Sequence, residues 1–223
     1  AVLDGRADLA VHSAKDLPSA PADGLVLAAF CERRDPRDAL VGSSLDGLAQ
    51  RGTVATGSVR RRAQLHRVRP DLEFVELRGN IDSRLSKIPA DGAIVMAVAA
   101  LDILGLGDRI AEVLDVAEFV PAVGQGCVAV ECRSDDAATR GALASIDHPG
   151  TRHDVEVERA FLGELGSGCS LPVGAHARAG TLLTFLADLD AGVSVSDEIE
   201  LPGGAADLEI ARLAAVAAHR ALS

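Results

Sequence analysis

The sequence predicts an α/β fold that ends in a small α+β unit, and three observations support this fold class. Short apolar runs rich in β-branched residues alternate with segments of helical periodicity, which is typical of βαβ units in parallel or mixed sheets covered on both faces. Of the 223 residues, 48% are apolar, so the chain can bury a substantial core. Three clusters of turn and charged residues interrupt the pattern, and this length favours two or three modest domains over one.

The predicted strands precede helical segments over the first half of the chain. They cover residues 8–11, 25–30, 53–55, 73–77 and 93–98. Ligands of such sheets collect beyond the carboxyl ends of the strands, so the residues that follow the strands are the candidates for function. The interruptions lie around 33–37, 119–121 and 148–150. After the last of these, the sequence predicts a helix near 155–165, a glycine-rich loop, weaker strands between 173 and 195 and an amphipathic helix over 205–222.

The charge balance argues against proteins that bind nucleic acid or membrane surfaces. The chain carries 33 acidic and 22 basic residues, whereas both kinds of binding need a basic field. It also has no Trp or Tyr on which bases could stack. Its longest apolar stretch, 93–101, is too short to span a bilayer, and its first residues do not resemble a signal peptide, so we expect a cytoplasmic protein.

The four cysteines indicate neither a metal site nor a disulfide framework, because they form no CxxC pair and no histidines stand at metal-ligand spacing. Cys31, Cys127 and Cys132 lie in apolar runs and are predicted to be small buried hydrophobes. Cys169 differs, since it lies in the glycine-rich loop 166–169. We expect its thiol to be accessible for covalent chemistry.

An island of arginines stands out in this acidic chain. Ser58 is a suitable N-cap for a helix whose first turn holds Arg60, Arg61 and Arg62. Cations oppose the helix dipole there, unless an anion lies against the free backbone N–H groups. The alternative is a solvated basic face of the helix.

A second strand end carries Arg78, followed by the turn residues Gly79 and Asn80 and then by Arg84. Two strand-to-helix turns are therefore predicted to place guanidinium groups close together, and each of these groups can bind a carboxylate with two hydrogen bonds. A ligand with several carboxylates suits them better than a single phosphate, for which a P-loop or GxGxxG would be expected and is absent.

A third strand end carries the titratable and hydroxyl groups of Ser13, Lys15 and Asp16. Asp16 is a candidate general acid or base, or a counter-charge for a cationic intermediate. The alternative is an exposed Lys15–Asp16 ion pair in a turn before Pro18. The glycine-flanked Gln125 is a weaker candidate for the same region.

Seven ordered segments resemble the porphobilinogen deaminase (hydroxymethylbilane synthase) family in sequence and spacing. The segments are HSAKDLP at 12–18, ERRDPRD at 32–38, GSVRR at 57–61, LRGN at 77–80, RLSK at 84–87, PAVGQG at 121–126 and GC at 168–169. The resemblance implies three domains, two built like the α/β lobes of type II periplasmic binding proteins and a small α+β C-terminal domain. Domain 1 would comprise 1–33 and 122–147, domain 2 would comprise 34–121, and domain 3 would comprise 148–223.

The resemblance also implies a transferase of tetrapyrrole and haem biosynthesis. Such an enzyme joins four porphobilinogen molecules head to tail with release of ammonia, on a dipyrromethane primer, and yields the linear tetrapyrrole hydroxymethylbilane. Cys169 matches the cysteine that holds dipyrromethane through a thioether, and Asp16 matches the catalytic aspartate. Each step passes through cationic pyrrole character, which a carboxylate stabilises while it moves protons.

The remaining site residues follow from the same match. The implied cofactor contacts are Ser13, Lys15, Ser58, Arg60, Arg61, Arg78, Gly79 and Arg84, and the implied substrate contacts are Arg60, Arg78, Arg84 and Gln125. Arg62, Arg67 and Arg69 have no such match and are predicted to lie at the surface. We expect a monomer without a metal. Two departures stand out: residue 1 corresponds to a point well inside the family's first domain, and 102–105 lacks an arginine that the family carries before Leu-Gly.

Two other functions remain open at this stage. A solute-binding receptor with similar lobes would use the same arginines for a carboxylate ligand but would have no use for Cys169. A regulatory module that binds nucleic acid is disfavoured by the acidic charge, and salt-dependent retention on an anionic resin would test it.

Overall fold

The computed structural model describes residues 1–19, 22–166 and 172–222. Its strands and helices, in chain order, are β1 (Leu9–Ser13), β2 (Leu25–Phe30), β3 (Asp38–Val41), β4 (Thr53–Ala55), α1 (Val59–Val68), β5 (Glu73–Val75), α2 (Ile81–Leu85), β6 (Ala93–Ala97), α3 (Val98–Ile103), β7 (Ile110–Val113), β8 (Val128–Arg133), α4 (Ala137–Leu143), α5 (Pro149–Glu164), β9 (Val173–Arg178), β10 (Thr181–Asp188), β11 (Val193–Glu200) and α6 (Ala206–Leu222). The strands form three sheets, so the predicted α/β class is confirmed at this level.

The N-terminal sheet has the order β1-β8-β2 and is antiparallel throughout. This differs from the expected parallel or mixed sheet. Only 11 residues separate β1 from β2, and their regular structure is a single short 3-10 turn at Ala14–Asp16. A parallel crossover needs about a dozen residues or more and usually a helix, so β1 and β2 instead pair with β8, which returns from far along the chain.

The central sheet is mixed, with the order β5-β4-β6-β3-β7. Here the predicted βαβ arrangement is present, because β4 is parallel to both β5 and β6 and the connections carry α1 and α2. Strands β3 and β7 run antiparallel to their neighbours and were missed in the sequence. Asp38 at the start of β3 follows the charged segment 33–37, where the sequence pattern indicated a break.

The C-terminal sheet is an antiparallel meander, β11-β10-β9, consistent with the α+β unit predicted there. Helices α5 and α6 pack together against one of its faces, and their apolar residues share a core with β9 and β10. Phe161 of α5 and Leu182 of β10 are fully buried in this core. The other face packs on α1 through Phe185, over whose ring the Arg67 guanidinium lies at 5.5 Å.

Two connections between the N-terminal and central sheets run side by side, and they position the site. The backbone N–H of Arg34, on the outward connection, donates to Gly126 O, on the return connection, at 2.9 Å. Gly126 has a φ of +84°, and a Cβ there would lie 2.6 Å from Arg34 O. A side chain would therefore be both strained and in collision at this crossing.

The described residues include neither a membrane-spanning helix nor a metal-binding cluster. No helix there is long and apolar enough to cross a membrane. No group of three or more His, Cys, Asp or Glu side chains is placed to hold a metal ion.

Candidate functional site

The first of two neighbouring cavities, here called the arginine pocket, lies beyond the ends of β4 and β5. Its volume is about 320 Å³, and its lining comprises Thr56, Gly57, Ser58, Arg61, Glu76, Leu77, Arg78, Arg84 and Val95. The structure therefore brings the two strand-to-helix turns together, as the sequence predicts for strand ends at one edge of a sheet. A cluster of guanidinium groups at such a pocket favours a ligand that carries carboxylates.

Local backbone features hold this pocket open and orient its arginines. Gly57 approaches the second turn so closely that a Cβ would lie 2.8 Å from Leu77 O. Ser58 caps α1 as predicted, with its Oγ accepting from the N–H of Arg61 at 3.4 Å. In the second turn, Arg84 Nε donates to Gly79 O at 2.7 Å. Among the described residues this is the hydrogen bond that Arg84 makes through its guanidinium, so its terminal nitrogens remain available to a ligand.

Beneath the pocket lies a buried group, here called the Asp38 cluster, of Asp38, Arg60, Arg61 and Gln125. Asp38 is 1% exposed and accepts from Arg60 Nη2 at 2.7 Å, from Arg61 Nη2 at 2.6 Å and from Gln125 Nε2 at 2.8 Å. Arg60 Nη1 donates to Val120 O at 2.6 Å. An internal carboxylate thus compensates these helix-terminal arginines, which corrects the alternative of a solvated basic helix face for Arg60 and Arg61.

The electrostatics of the cluster favour the charged form of Asp38. Burial, the largest single effect, raises the pKa of this carboxyl group, but the two adjacent guanidinium groups outweigh it and hold the pKa below its usual range. Burial lowers the pKa of Arg60. Arg61 differs from Arg60 because it also lines the arginine pocket, and its buried Nε has no partner among the described residues.

The second cavity, here called the cleft, lies between the N-terminal and central sheets and has a volume of about 380 Å³. Its lining comprises Val11, His12, Ser13, Lys15, Asp16, Arg34, Ala97, Ala99, Ala100, Ile103, Gly126, Cys127 and Val128. The wall from the central sheet is wholly apolar, whereas the opposite wall carries an exposed Asp16. The cleft therefore combines space for an apolar ring with a carboxylate at one edge.

Lys15 connects the cleft to the Asp38 cluster. Its Nζ donates to Gln125 Oε1 at 3.5 Å, the long end of hydrogen-bond range. Burial and the nearby charge of Arg61 lower the pKa of Lys15 to about 8, against the opposing effects of Asp38 and Asp16. Lys15 and Asp16 do not form an ion pair within 4 Å in the described structure. The alternative of an exposed Lys15–Asp16 ion pair is therefore wrong.

A second buried ion pair fixes the loop that carries Gln125. Arg33 Nε donates to Gln125 O at 2.9 Å, and its Nη1 donates to Glu158 Oε1 at 2.5 Å. Glu158, fully buried on α5, also accepts from the backbone N–H of Gly124 at 2.7 Å. Burial opposes its ionisation, but Arg33 and His176 lower the pKa of Glu158 below its ordinary value. The C-terminal sheet and its helices thereby support the cleft.

The predicted site residues thus fall into distinct positions. Ser13, Lys15 and Asp16 line the cleft, and Ser58, Arg61, Arg78 and Arg84 line the arginine pocket. Arg60 and Gln125 line neither cavity and are buried in the Asp38 cluster, while Gly79 lies behind Arg84 as a hydrogen-bond acceptor. Cys169 lies outside the described residues.

Two of the three described cysteines are buried as predicted. Cys127 and Cys132 are buried, and Cys31 is partly exposed. Burial raises the pKa of the Cys127 thiol to about 12 although it lines the cleft, so this thiol is not nucleophilic near neutral pH.

Asp38, which anchors the buried cluster, and Arg34, which lines the cleft, were not among the site residues predicted from the sequence. Asp38 follows Arg37 in the charged segment, and nothing in the local pattern shows that it is buried against arginines from 22 and 23 residues further along.

Comparisons with known proteins identify the family of the chain. Residues 1–141 match the family model described as porphobilinogen deaminase, dipyromethane cofactor binding domain, and residues 153–215 match that of porphobilinogen deaminase, C-terminal domain. The chain is 40% identical over 210 residues to a curated protein named porphobilinogen deaminase from Geobacter metallireducens, and 42% identical over 210 residues to those from Geobacter sulfurreducens and Pelobacter propionicus. Each alignment covers 91% of this chain.

The chain belongs to the porphobilinogen deaminase family. The resemblance in the sequence motifs is thereby confirmed, and the cofactor of the matched domain is the predicted dipyrromethane. The alignments span 66%, 66% and 68% of the three relatives, so the chain covers about two thirds of their length. A solved structure, that of YhfZ from Shigella flexneri, matches at 17% identity over 71% of this chain and 73% of that one, with a TM-score of 0.32 that is too low to indicate a shared fold.

Proposed function

We propose that this chain carries the hydroxymethylbilane synthase activity of its family, the stepwise joining of porphobilinogen units with release of ammonia. One observation carries the proposal: an apolar cleft edged by Asp16 is connected through Lys15, Gln125 and Asp38 to a pocket of arginines. A pyrrole with acidic side chains needs both kinds of surface. The apolar cleft suits its ring, and the arginines suit its carboxylates.

The residues present fit the dipyrromethane cofactor. Its carboxylates match the cationic lining of the arginine pocket, where Arg61 has a buried unpartnered Nε and Arg84 has free terminal nitrogens. When bound, this group supplies the free pyrrole carbon to which substrate is joined. We propose that Cys169 holds it by a thioether, because Cys169 matches the cofactor-bearing cysteine of the family.

Asp16 is the proposed catalytic residue. Its carboxylate edges the cleft, where it can accept a hydrogen bond from a pyrrole N–H, stabilise positive charge on the ring and move a proton. The apolar wall of Ala97, Ala99 and Ala100 excludes water from the opposite side, which strengthens the attraction between this carboxylate and a cationic ring. Ser13 and Lys15 are proposed hydrogen-bond donors to the same ligand.

The arginines are the proposed counter-charges for the acidic side chains of substrate and cofactor. Arg61, Arg78 and Arg84 are placed to contact them directly. Arg60 supports the pocket from below, because both of its terminal nitrogens bond to Asp38 and Val120. Gln125, also buried, is a support for Lys15 rather than a surface for substrate.

We also propose that the three sheets correspond to the three domains of the family. The two connections near 31–37 and 114–127 pass between the first two sheets, and helix α5 begins at Pro149, close to the third predicted junction. This supports domain 1 at 1–33 and 122–147, domain 2 at 34–121 and domain 3 at 148–223, with the first two as type II lobes. The family resemblance supports a cytoplasmic monomer.

The proposed function is tested by incubation with porphobilinogen, with ammonia release and formation of linear tetrapyrrole measured together. Turnover with both products is the expected result. Saturable binding of porphobilinogen without ammonia release would identify a carboxylate-binding receptor and contradict the proposed activity.

Removing one charge from the arginine pocket tests its role in turnover. Arg84→Gln is expected to lower kcat/KM for porphobilinogen by roughly 10-fold or more, because a charge-assisted contact to a carboxylate is lost while the fold is kept. The matched control is Arg212→Gln on α6, whose guanidinium pairs at the surface with Glu209. Equal kinetics for the two variants would contradict the carboxylate role of the pocket.

A further inference from the structure

Arg34 stands apart from the other arginines of its segment because its guanidinium is uncommitted. Arg33 is bonded to Glu158 and Gln125, and Arg37 is bonded to Asp35 through both Nε and Nη2. Arg34 is exposed, and no hydrogen bond or ion pair of its side chain occurs among the described residues. A side chain in this state is free to bind a ligand.

The backbone of Arg34 is nevertheless fixed at the edge of the cleft. Its N–H donates to Gly126 O at 2.9 Å, and its carbonyl oxygen lies so close to Gly126 that a Cβ there would come within 2.6 Å. Both residues line the cleft together with Lys15 and Asp16. The crossing of the two connections thus places an exposed guanidinium without a protein partner, among the described residues, at the edge of the cleft.

The cleft has little other positive charge to offer an acidic ligand. Among the described residues that line it, Lys15 and Arg34 are the cations that do not depend on the protonation of a histidine, and the central-sheet wall is apolar. His12 Nε2 lies 3.3 Å from Glu131 Oε2, so this histidine already has an acidic partner within the protein. A carboxylate bound in the cleft therefore has two candidate cationic partners, Lys15 and Arg34. Lys15 is next to Asp16 in the chain, whereas Arg34 lies on a different segment.

We propose that Arg34 binds a carboxylate of the pyrrole substrate at the mouth of the cleft that Asp16 edges. This inference rests on the proposed function, and it adds a substrate-binding residue to it. Arg34 also lines a neighbouring cavity of about 450 Å³ together with Arg178, which does not line the cleft. Arg178 therefore provides a matched control.

Steady-state kinetics with porphobilinogen test the inference. Arg34→Gln is expected to raise KM roughly 10-fold with little change in kcat, because the contact is made equally by bound substrate and transition state. Arg34→Lys should restore part of the loss, and Arg178→Gln should behave as wild type. An unchanged KM for Arg34→Gln, or an equal rise for Arg178→Gln, would overturn the proposal.

The pH dependence of KM separates binding from a merely structural role. Lys15 faces Asp16 on its own segment, Asp38 from β3, and Arg60 and Arg61 from α1, and it loses its proton above pH about 8. Above that pH Arg34 remains charged while Lys15 does not. The KM of Arg34→Gln should therefore stay about 10-fold above that of wild type at pH 9, and a ratio that falls to one above pH 8 would count against the proposal.

Equilibrium binding distinguishes failure of this inference from failure of the proposed function. Porphobilinogen binding is compared between Asp16→Ala and the double variant Asp16→Ala with Arg34→Gln. Weaker binding by the double variant supports the role of Arg34 even if wild type shows no turnover. Equal binding by the two proteins would refute the role of Arg34, whereas no binding of porphobilinogen by Asp16→Ala or by wild type would contradict the proposed function itself.

Discussion

Replacing Asp16 with alanine is expected to lower the rate of tetrapyrrole formation by ~10²–10⁴-fold, the range for loss of a general acid or base. The reason is local, since Asp16 is an exposed carboxylate at the edge of the cleft, opposite its apolar wall. Single-turnover kinetics with porphobilinogen measure the loss. Mass analysis of the same sample should show the dipyrromethane still attached, because the variant leaves the arginine pocket and Cys169 intact.

The control for this variant is Asp23→Asn, at an exposed position before β2 that lines neither cavity. It should keep the wild-type rate. Normal turnover by Asp16→Ala would remove the proposed catalytic residue, and a similar loss in both variants would indicate a general effect of charge.

The Asp38→Asn variant is expected to lose about 3–5 kcal/mol of the free energy of unfolding, because two buried guanidinium groups would lose their carboxylate. Asp38 is 1% exposed, and both arginines are 10% exposed or less at their side chains. Urea titration at neutral pH measures the change. Asp35→Asn is the matched control, since its partner Arg37 is half-exposed, and should lose no more than about 1 kcal/mol.

The pH dependence of the unfolding free energies of wild type and Asp38→Asn tests the charge state of Asp38. Because the pKa of Asp38 is lowered in the folded state, its contribution is present above the unfolded pKa of about 4 and is lost as the pH falls through the lower folded value. The difference in unfolding free energy between wild type and Asp38→Asn should therefore shrink below pH about 4. A difference that grows on acidification would contradict the assigned charge state.

Local sequence patterns predicted the parallel part of the fold well. Strands β4 and β6 are short apolar runs next to helices, and residues after β4 and β5 form the arginine pocket because strand ends at one edge of a sheet meet. The positions of these strands and of the pocket residues follow from residue type and spacing alone. The cap of α1 by Ser58 was equally visible, whereas Asn80, which caps α2, was predicted only as a turn residue.

Long-range partners account for what the sequence did not show. Strand β8 separates β1 from β2 although it lies more than a hundred residues away, which makes the N-terminal sheet antiparallel. Arg60 and Arg61 are neighbours in the sequence, yet only Arg61 reaches the arginine pocket, because successive helical residues point in different directions. The burial of Asp38 between them depends on packing of β3 against α1, which no local pattern encodes.

Intact-mass analysis of the denatured protein after incubation with porphobilinogen, with peptide mapping around Cys169, tests the central claim most directly. The expected result is a mass increase of one dipyrromethane, located on the peptide that contains Cys169 and absent from the Cys169→Ser variant. Wild-type protein that stays unmodified after incubation with both porphobilinogen and preformed hydroxymethylbilane, or an adduct on a different cysteine, would contradict it.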